Sequence, residues 1–252
     1  MKLTVVGSSG SYPGPDSPAS CYLLTARHQG RDFNILLDLG NGALGALQRH
    51  LDPAVVDAVL ITHLHADHCL DLCGFYVLRK YHPLGAMPQI PVWGPKRTPR
   101  RLARAYGLSP EPGMREEFDF RRYPKESFQV GPFKVTARRV NHPVPAYALR
   151  VEADGKALAY SGDTGPCDAL TETANQADVF LCEASFVEGG DNPPDLHLTG
   201  AEAASTAAQA GAKTLLLTHI PPWHDAQVVL SEAHGHFAGA LSLAEVGRTY
   251  QL

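Results

Sequence analysis

At 252 residues and 44% hydrophobic content, the chain is long enough to bury one substantial core, and a single domain spanning residues 1–252 is expected. A net charge of −4, from 26 acidic against 22 basic residues, gives no global attraction to nucleic acid and leaves only a local patch as a route to it. Five cysteines without framework spacing exclude a disulfide scaffold and favour free thiols in a reducing cytoplasm.

The apolar stretch Leu3 to Val6 breaks at Gly7-Ser8-Ser9-Gly10, too short for the apolar segment of a signal peptide. No run is long enough to span a membrane, so a soluble protein is expected. Short β-branched, apolar or aromatic runs bounded by Gly, Pro, Asn and Asp predict strands at Leu3 to Val6, Cys21 to Thr25, Phe33 to Asp38, Ala58 to Ile61, Phe133 to Val140, Ala146 to Val151, Ala157 to Tyr160, Val179 to Cys182 and Thr214 to Leu217. Helices are predicted at Gly42 to His50, Asp67 to Lys80, Arg97 to Tyr106, Thr199 to Ala210 and roughly Trp223 to His234. Thr199 followed by Glu202 reads as a capping box. A β-rich first half and an αβ-alternating second half point to an α/β (α+β) layered fold. The Pro- and charge-rich segment Pro88 to Lys125 reads as an excursion from that core.

Twelve histidines are the unusual feature, and four ligand-type residues crowd into His63-Leu64-His65-Ala66-Asp67-His68 just after a predicted strand. Alternation along an extended chain points His63 and His65 to one side. Asp67 and His68, where a helix begins, can turn toward a second ion. Imidazole and carboxylate donors suit Zn²⁺, with Mn²⁺ or Fe²⁺ as alternatives.

Two metals need more donors than one loop supplies. His142 in Val140-Asn141-His142-Pro143, Asp163 in Ser161-Gly162-Asp163-Thr164-Gly165 and His219 after Leu215-Leu216-Leu217-Thr218 each sit just beyond a predicted strand, where open α/β sheets gather their sites.

His63-x-His65-x-Asp67-His68, then His142, Asp163 and His219 in that order, resembles the metallo-β-lactamase superfamily over almost the whole chain. The resemblance implies a four-layer αβ/βα sandwich. It also implies two metal ions, with His63, His65 and His142 on the first, Asp67, His68 and His219 on the second and Asp163 bridging them. Asp38 matches the aspartate that supports the metal loop from behind. The reaction so implied is hydrolysis by a hydroxide that the metal pair makes available near neutral pH. An aspartate at Asp67, where some lactamases have a cysteine, fits two hard-ligand sites.

Glu183-Ala184-Ser185-Phe186 followed by His197-Leu198-Thr199 resembles the ribonuclease Z branch, whose members cleave phosphodiesters. The resemblance makes His197 the acid that protonates the leaving oxygen and Glu183 its orienting partner, with Asp67 joining them in the catalytic set. One departure stands out. The branch usually carries a long tRNA-gripping arm between the residues matched by His142 and Asp163, yet here they are 163 − 142 = 21 positions apart, filled by a predicted hairpin around Asp154-Gly155. A small phosphodiester such as a 3′,5′-cyclic nucleotide therefore becomes the first expectation, in line with a resemblance to armless cyclic-nucleotide phosphodiesterases. Cleavage of tRNA 3′ ends is second, and a thioester or other hydrolase of the same fold third. An iron oxygenase is disfavoured by the full two-metal donor set. No membrane partner is expected, and a homodimer is left open.

Other features have plainer readings. Cys69 and Cys73 read as residues of one helix face, His234-Gly235-His236 as a solvated turn, and Arg97, Arg100, Arg101 and Arg104 as a solvated helix face. Gly7-Ser8-Ser9-Gly10-Ser11 fits either an anion-binding turn or an ordinary one.

Overall fold

A computed structural model describes residues 1–252. The first sheet is assembled from β1 (Lys2–Gly7), β2 (Cys21–His28), β3 (Arg31–Leu37), β4 (Ala58–Leu60), β5 (Ile90–Gly94), β6 (Phe118–Arg122) and, from the far end of the chain, β14 (Thr249–Gln251). The second takes β7 (Phe128–Val130), β8 (Phe133–Arg139), β9 (Tyr147–Ala153), β10 (Lys156–Tyr160), β11 (Val179–Glu183), β12 (Thr214–Thr218) and β13 (Ala240–Leu243). Strand order is β14-β1-β2-β3-β4-β5-β6 in one and β13-β12-β11-β10-β9-β8-β7 in the other. Each sheet changes from antiparallel to parallel pairing at its middle strand, at β3 in the first and β10 in the second.

The period-2 alternation of side chains builds the layers. Leu24 and Leu37 of the first sheet and Leu158, Leu181 and Leu216 of the second share one core between the sheets. Their sequence neighbours face outward. Leu23 and Leu36 pack under α1 (Ala43–Leu47) and α3 (Leu72–Lys80). Ala159, Phe180 and Leu217 pack under α5 (Asp168–Ala174), α6 (Gly200–Ala210) and α7 (Ala226–Ala233). Ala203, Ala204, Ala207 and Ala210 bury the small face of α6 against that sheet. Helices outside two facing sheets make the metallo-β-lactamase αβ/βα sandwich. No helix is long and apolar enough to cross a membrane.

The capping box at Thr199 forms, with Thr199 and Glu202 serving each other's backbone N–H. The hairpin turns at Asp154 (φ 56) and Gly155 (φ 71), and Ala153 pairs with Lys156, a two-residue loop with both residues left-handed.

Several expectations need correction. Pro88 to Lys125 is no excursion: β5 and β6 extend the first sheet in parallel, with α4 (Thr98–Tyr106) between them. Pro91 and Gly94 inside β5 and the charges inside β6 hid both strands. The helix expected over Asp67 to Lys80 breaks into α2 (Ala66–Cys69) and α3, where the Leu39 backbone takes the His68 carbonyl at 2.8 Å and the Asp71 N–H at 3.2 Å out of the helical ladder. Cys69 and Cys73 thus lie on different helices. The helix from Gly42 shortens to α1, and that from Trp223 starts only at Ala226, capped by Asp225. The half-by-half contrast in strand content is also wrong, since each sheet has antiparallel and parallel portions. α5, β7, β13 and β14 were not anticipated.

Candidate metal centre

All seven predicted donors come together between the sheets' ends. They leave the chain just after β4, β8, β10 and β12, and β4, β10 and β12 have the parallel neighbours at whose C-terminal ends such sheets gather sites. His63 Nε2 lies 3.0 Å from His65 Nδ1, His142 Nε2 lies 3.3 Å from the same nitrogen, and Asp163 Oδ2 lies 3.5 Å from His63 Nε2. In the adjoining group, His68 Nε2 is 3.1 Å from Asp163 Oδ1 and 3.5 Å from Asp67 Oδ2. His219 Nε2 is 3.2 Å from Asp163 Oδ2 and 3.6 Å from Asp67 Oδ2. Asp163 alone belongs to both groups.

These separations suit cations. Bonds of about 2.1 Å to a common ion place neighbouring ligand atoms roughly 3.0 to 3.4 Å apart, for octahedral and tetrahedral arrangements respectively. His68 Nε2, His219 Nε2 and Asp163 Oδ1 are buried and lack any hydrogen-bond partner, although they converge within ion-pair distance. Buried polar atoms are rarely left so. The donor set fits two divalent ions, and the fold and its His/Asp clusters together point to a binuclear metal site.

The supporting contacts fix which ring nitrogen faces inward. Asp38, fully buried, receives the Thr62 backbone N–H at 2.7 Å, the Thr62 and Tyr160 hydroxyls at 2.8 Å each and His68 Nδ1 at 2.7 Å. His142 donates from Nδ1 to the Leu196 carbonyl at 3.0 Å, and His219 Nδ1 meets Ser20 Oγ at 2.9 Å. Each imidazole so held presents Nε2 to the centre. The chain backbone is forced to fit: Asp38 and His219 have φ of 58° and 56°, and a Cβ on Gly40 would collide with the Asp67 carbonyl. Thr62, Tyr160, Ser20 and the Leu196 carbonyl escaped the sequence reading, since a hydroxyl beside a strand end carries no local signature.

Electrostatics follow from burial and charge. Burial pushes His63 well below its usual pKa and lowers His65 and His142, so the three rings stay neutral and able to bind a cation. Burial also opposes charge on His68, but Asp163, Asp38 and Asp67 overcome it and raise the ring well above the usual value. Burial works against ionised Asp163 too. His219, His68 and His63 reverse that and hold it well below the usual carboxylate range.

His197 and Glu183 form a third group with Asp163. His197 Nδ1 lies 2.9 Å from Glu183 Oε1, and the buried carboxylate also accepts backbone N–H groups of Thr164 at 2.8 Å, Ser185 at 3.2 Å and Leu198 at 3.3 Å. The His197 ring stands 5.6 Å from that of His142 and 5.9 Å from that of His219, with Phe186 edge-on at 5.1 Å. Burial disfavours the imidazolium, but Glu183 prevails and raises His197 to about 9. In metal-free protein, an NMR titration of this ring is expected to centre near 9, and Glu183→Gln should bring the midpoint to about 6.5 or below. The sign follows: a raised pKa stabilises the fold fully below about 6.5 and loses that contribution as pH climbs through the folded value. A wild-type midpoint at 6.5 or below would break the link between the pair and the charge.

The remaining features fall as read. The cysteines are free, and His234 to His236 turn through Gly235 at φ 88°. Gly7 to Ser11 is an ordinary turn whose backbone is already used: Ser9 N–H binds the Pro18 carbonyl and Gly10 N–H that of Ile220.

Residues 33–220 match the family described as beta-lactamase superfamily domain. An uncharacterized protein of Mycobacterium tuberculosis is 47% identical over 258 residues, covering 100% of this chain and 92% of the relative. A ribonuclease Z of Myxococcus xanthus is 28% identical over 306 residues, covering 100% of this chain and 98% of the relative. The crystal structure of the metallo-beta-lactamase fold protein YhfI from Bacillus subtilis superposes with a TM-score of 0.86 at 25% identity, covering 99% of this chain and 98% of that one.

Proposed function

We propose that this chain, which belongs to the beta-lactamase superfamily and is a metal-dependent hydrolase, cleaves phosphodiesters, with a small substrate such as a 3′,5′-cyclic nucleotide first in line. The observation that carries this reading is the His197–Glu183 pair, 2.9 Å between Nδ1 and Oε1, set beside the clustered donors. Carbonyl hydrolysis of a thioester releases a thiolate that needs little help, whereas an alkoxide leaves slowly without a proton. A positioned acid contributes about 10²- to 10⁴-fold.

In this reading His63, His65 and His142 hold one ion, Asp67, His68 and His219 the other, and Asp163 both, with Zn²⁺ the expected metal. When bound, such a pair supplies an acidified water and positive charge for the phosphoryl oxygens. The chain's own residues do the rest. Asp38 locks the His68 ring, Leu196 and Ser20 lock those of His142 and His219, and Asp67 adds a carboxylate beside His68 and His219. Glu183 keeps His197 protonated and turned, so that Nε2 is free to donate to the departing oxygen. Three backbone N–H groups on Glu183 hold that carboxylate still while the proton moves.

A small substrate is supported by what surrounds the centre. His142 and Asp163 are joined by a hairpin with a two-residue turn, which leaves no arm to grip a folded RNA. A second reading, tRNA 3′-end cleavage, is favoured by the exposed arginines 97, 100, 101 and 104 around α4, since Arg101 Nε reaches the Leu64 carbonyl of the metal loop at 3.4 Å. Turnover of cyclic AMP, cyclic GMP, bis(p-nitrophenyl) phosphate, a precursor tRNA and an acyl thioester, each with and without a chelator, separates these readings. Chelator-sensitive hydrolysis of the cyclic nucleotides is expected. Preference for the precursor tRNA would install the second reading, and preference for the thioester would remove both.

A further inference from the structure

Two large aromatic side chains are left in solvent on loops that adjoin the metal-site residue His219. Trp223 is 59% exposed and Tyr12 43%, and their rings touch, with centroids 5.4 Å apart and planes tilted by 34°. Both loops are anchored to a metal-site histidine. Tyr12 follows Gly10, whose N–H binds the Ile220 carbonyl and whose backbone is so close to His219 that an added Cβ would collide with the His219 carbonyl and lie 3.1 Å from the ring carbon Cδ2. Trp223 follows His219 by four residues, a reach of at most about 14 Å in extended chain, shortened here by a turn in which His224 N–H binds the Pro221 carbonyl at 2.9 Å.

The loops are also stiff. Ser9 Oγ donates to the Tyr12 carbonyl at 2.8 Å, and the Gly14 backbone lies against the Pro222 ring. Pro13, Pro221 and Pro222 fix φ at three further positions. Exposed aromatics on a stiff frame bind planar ligands with little ordering cost.

We propose that Trp223, backed by Tyr12, is a stacking platform for the nucleobase of a mononucleotide whose phosphodiester lies at the metal centre. The assignment rests on the phosphodiesterase reading and names its substrate class as nucleotide. At 5.4 Å the two rings already touch, so the base stacks on the outer face of Trp223 and does not slot between them. Tyr12 is a positioning residue that fixes the indole. Stacking on an aromatic face tolerates any base, so adenine and guanine nucleotides should both be accepted.

The test uses the metal-loaded enzyme carrying Trp93→Phe, which leaves Trp223 as the sole tryptophan of the two in the chain. Saturable quenching of its fluorescence by 5′-AMP is expected, with none by ribose 5-phosphate, and Tyr12→Ala should weaken it. In steady state, Trp223→Ala should raise KM for cyclic AMP by about 5- to 100-fold, with the loss on KM and not on kcat, and Trp223→Phe should recover most of it. Equal responses to 5′-AMP and ribose 5-phosphate, or none to either, would overturn the platform. So would a fluorescence change that follows protein dilution, which would assign the pair to contact with a second copy. A triadenylate binding a hundredfold more tightly than 5′-AMP would overturn the mononucleotide in favour of RNA. Base-specific quenching without cyclic-nucleotide turnover would keep the platform and remove the proposed activity.

Discussion

Replacing Asp163 with alanine is expected to empty both halves of the centre and abolish hydrolysis of every substrate, phosphodiester or other. Asp163 is the one donor common to the two groups, with Oδ1 toward His68 at 3.1 Å and Oδ2 toward His63 and His219 at 3.5 and 3.2 Å. Loss of a side chain that merely orients a ligand costs about 10- to 100-fold in metal affinity. Loss of a shared ligand should exceed that at each ion. Elemental analysis should therefore fall from about two ions per chain, as a dinuclear site requires, to well below one. The same substitution leaves the buried His68 ring, which Asp163 helps to hold charged, without that partner, so the apo-protein should lose stability as well. Asp163→Asn separates charge from shape: it preserves the packing, and if bridging needs a carboxylate it should lose metal almost as completely. A mutant retaining both ions would move Asp163 out of the coordination sphere.

What the sequence disclosed about this site depended on where donors stood relative to strand ends. His63 to His68 were legible because four ligand-type residues crowd just behind a strand, and His142, Asp163 and His219 because each stands just beyond the C-terminal end of a predicted strand. Glu183 and His197 were legible only through resemblance to ribonuclease Z, since 14 positions and a loop separate partners that meet at 2.9 Å. Nothing local marks the Tyr160 hydroxyl, which reaches Asp38 across 122 positions, or Ser20, which reaches His219 across 199. These pairings exist only once the sheets face each other.

The fold shows the same division. Strands with uninterrupted apolar runs were found, often to within a residue or two. β5, broken by Pro91 and Gly94, and β6, alternating with charge, were missed because their place in the sheet comes from parallel pairing with a neighbour more than their own composition. The helix after the metal loop was overextended because apolar residues continue through Leu70 and Leu72, whereas the Leu39 backbone takes the His68 carbonyl and the Asp71 N–H and breaks the run. A tertiary contact overrode local preference there.

His197→Ala is expected to slow hydrolysis of a cyclic nucleotide by about 10²-fold or more while leaving both metal ions bound. The reason lies in the leaving group. Opening the ring of a cyclic nucleotide expels an alkoxide, which departs readily only if a proton arrives with it, and His197 is the group charged and oriented to give one. Its Nδ1 is committed to Glu183 at 2.9 Å, and its pKa of about 9 keeps Nε2 protonated at neutral pH in the metal-free chain. Cations bound nearby would lower that value toward the operating range, where a general acid works best. Bis(p-nitrophenyl) phosphate makes the contrast, since nitrophenolate leaves without a proton, so its hydrolysis should fall far less in the same variant. Glu183→Gln should reproduce the selectivity more weakly, because the amide still fills the space among the Thr164, Ser185 and Leu198 N–H groups but no longer holds the imidazolium. Rates on both substrates, with metal content measured in each variant, make the comparison complete. Equal losses on the two substrates with metal retained would remove the acid role, and loss of metal would make His197 part of the coordination sphere.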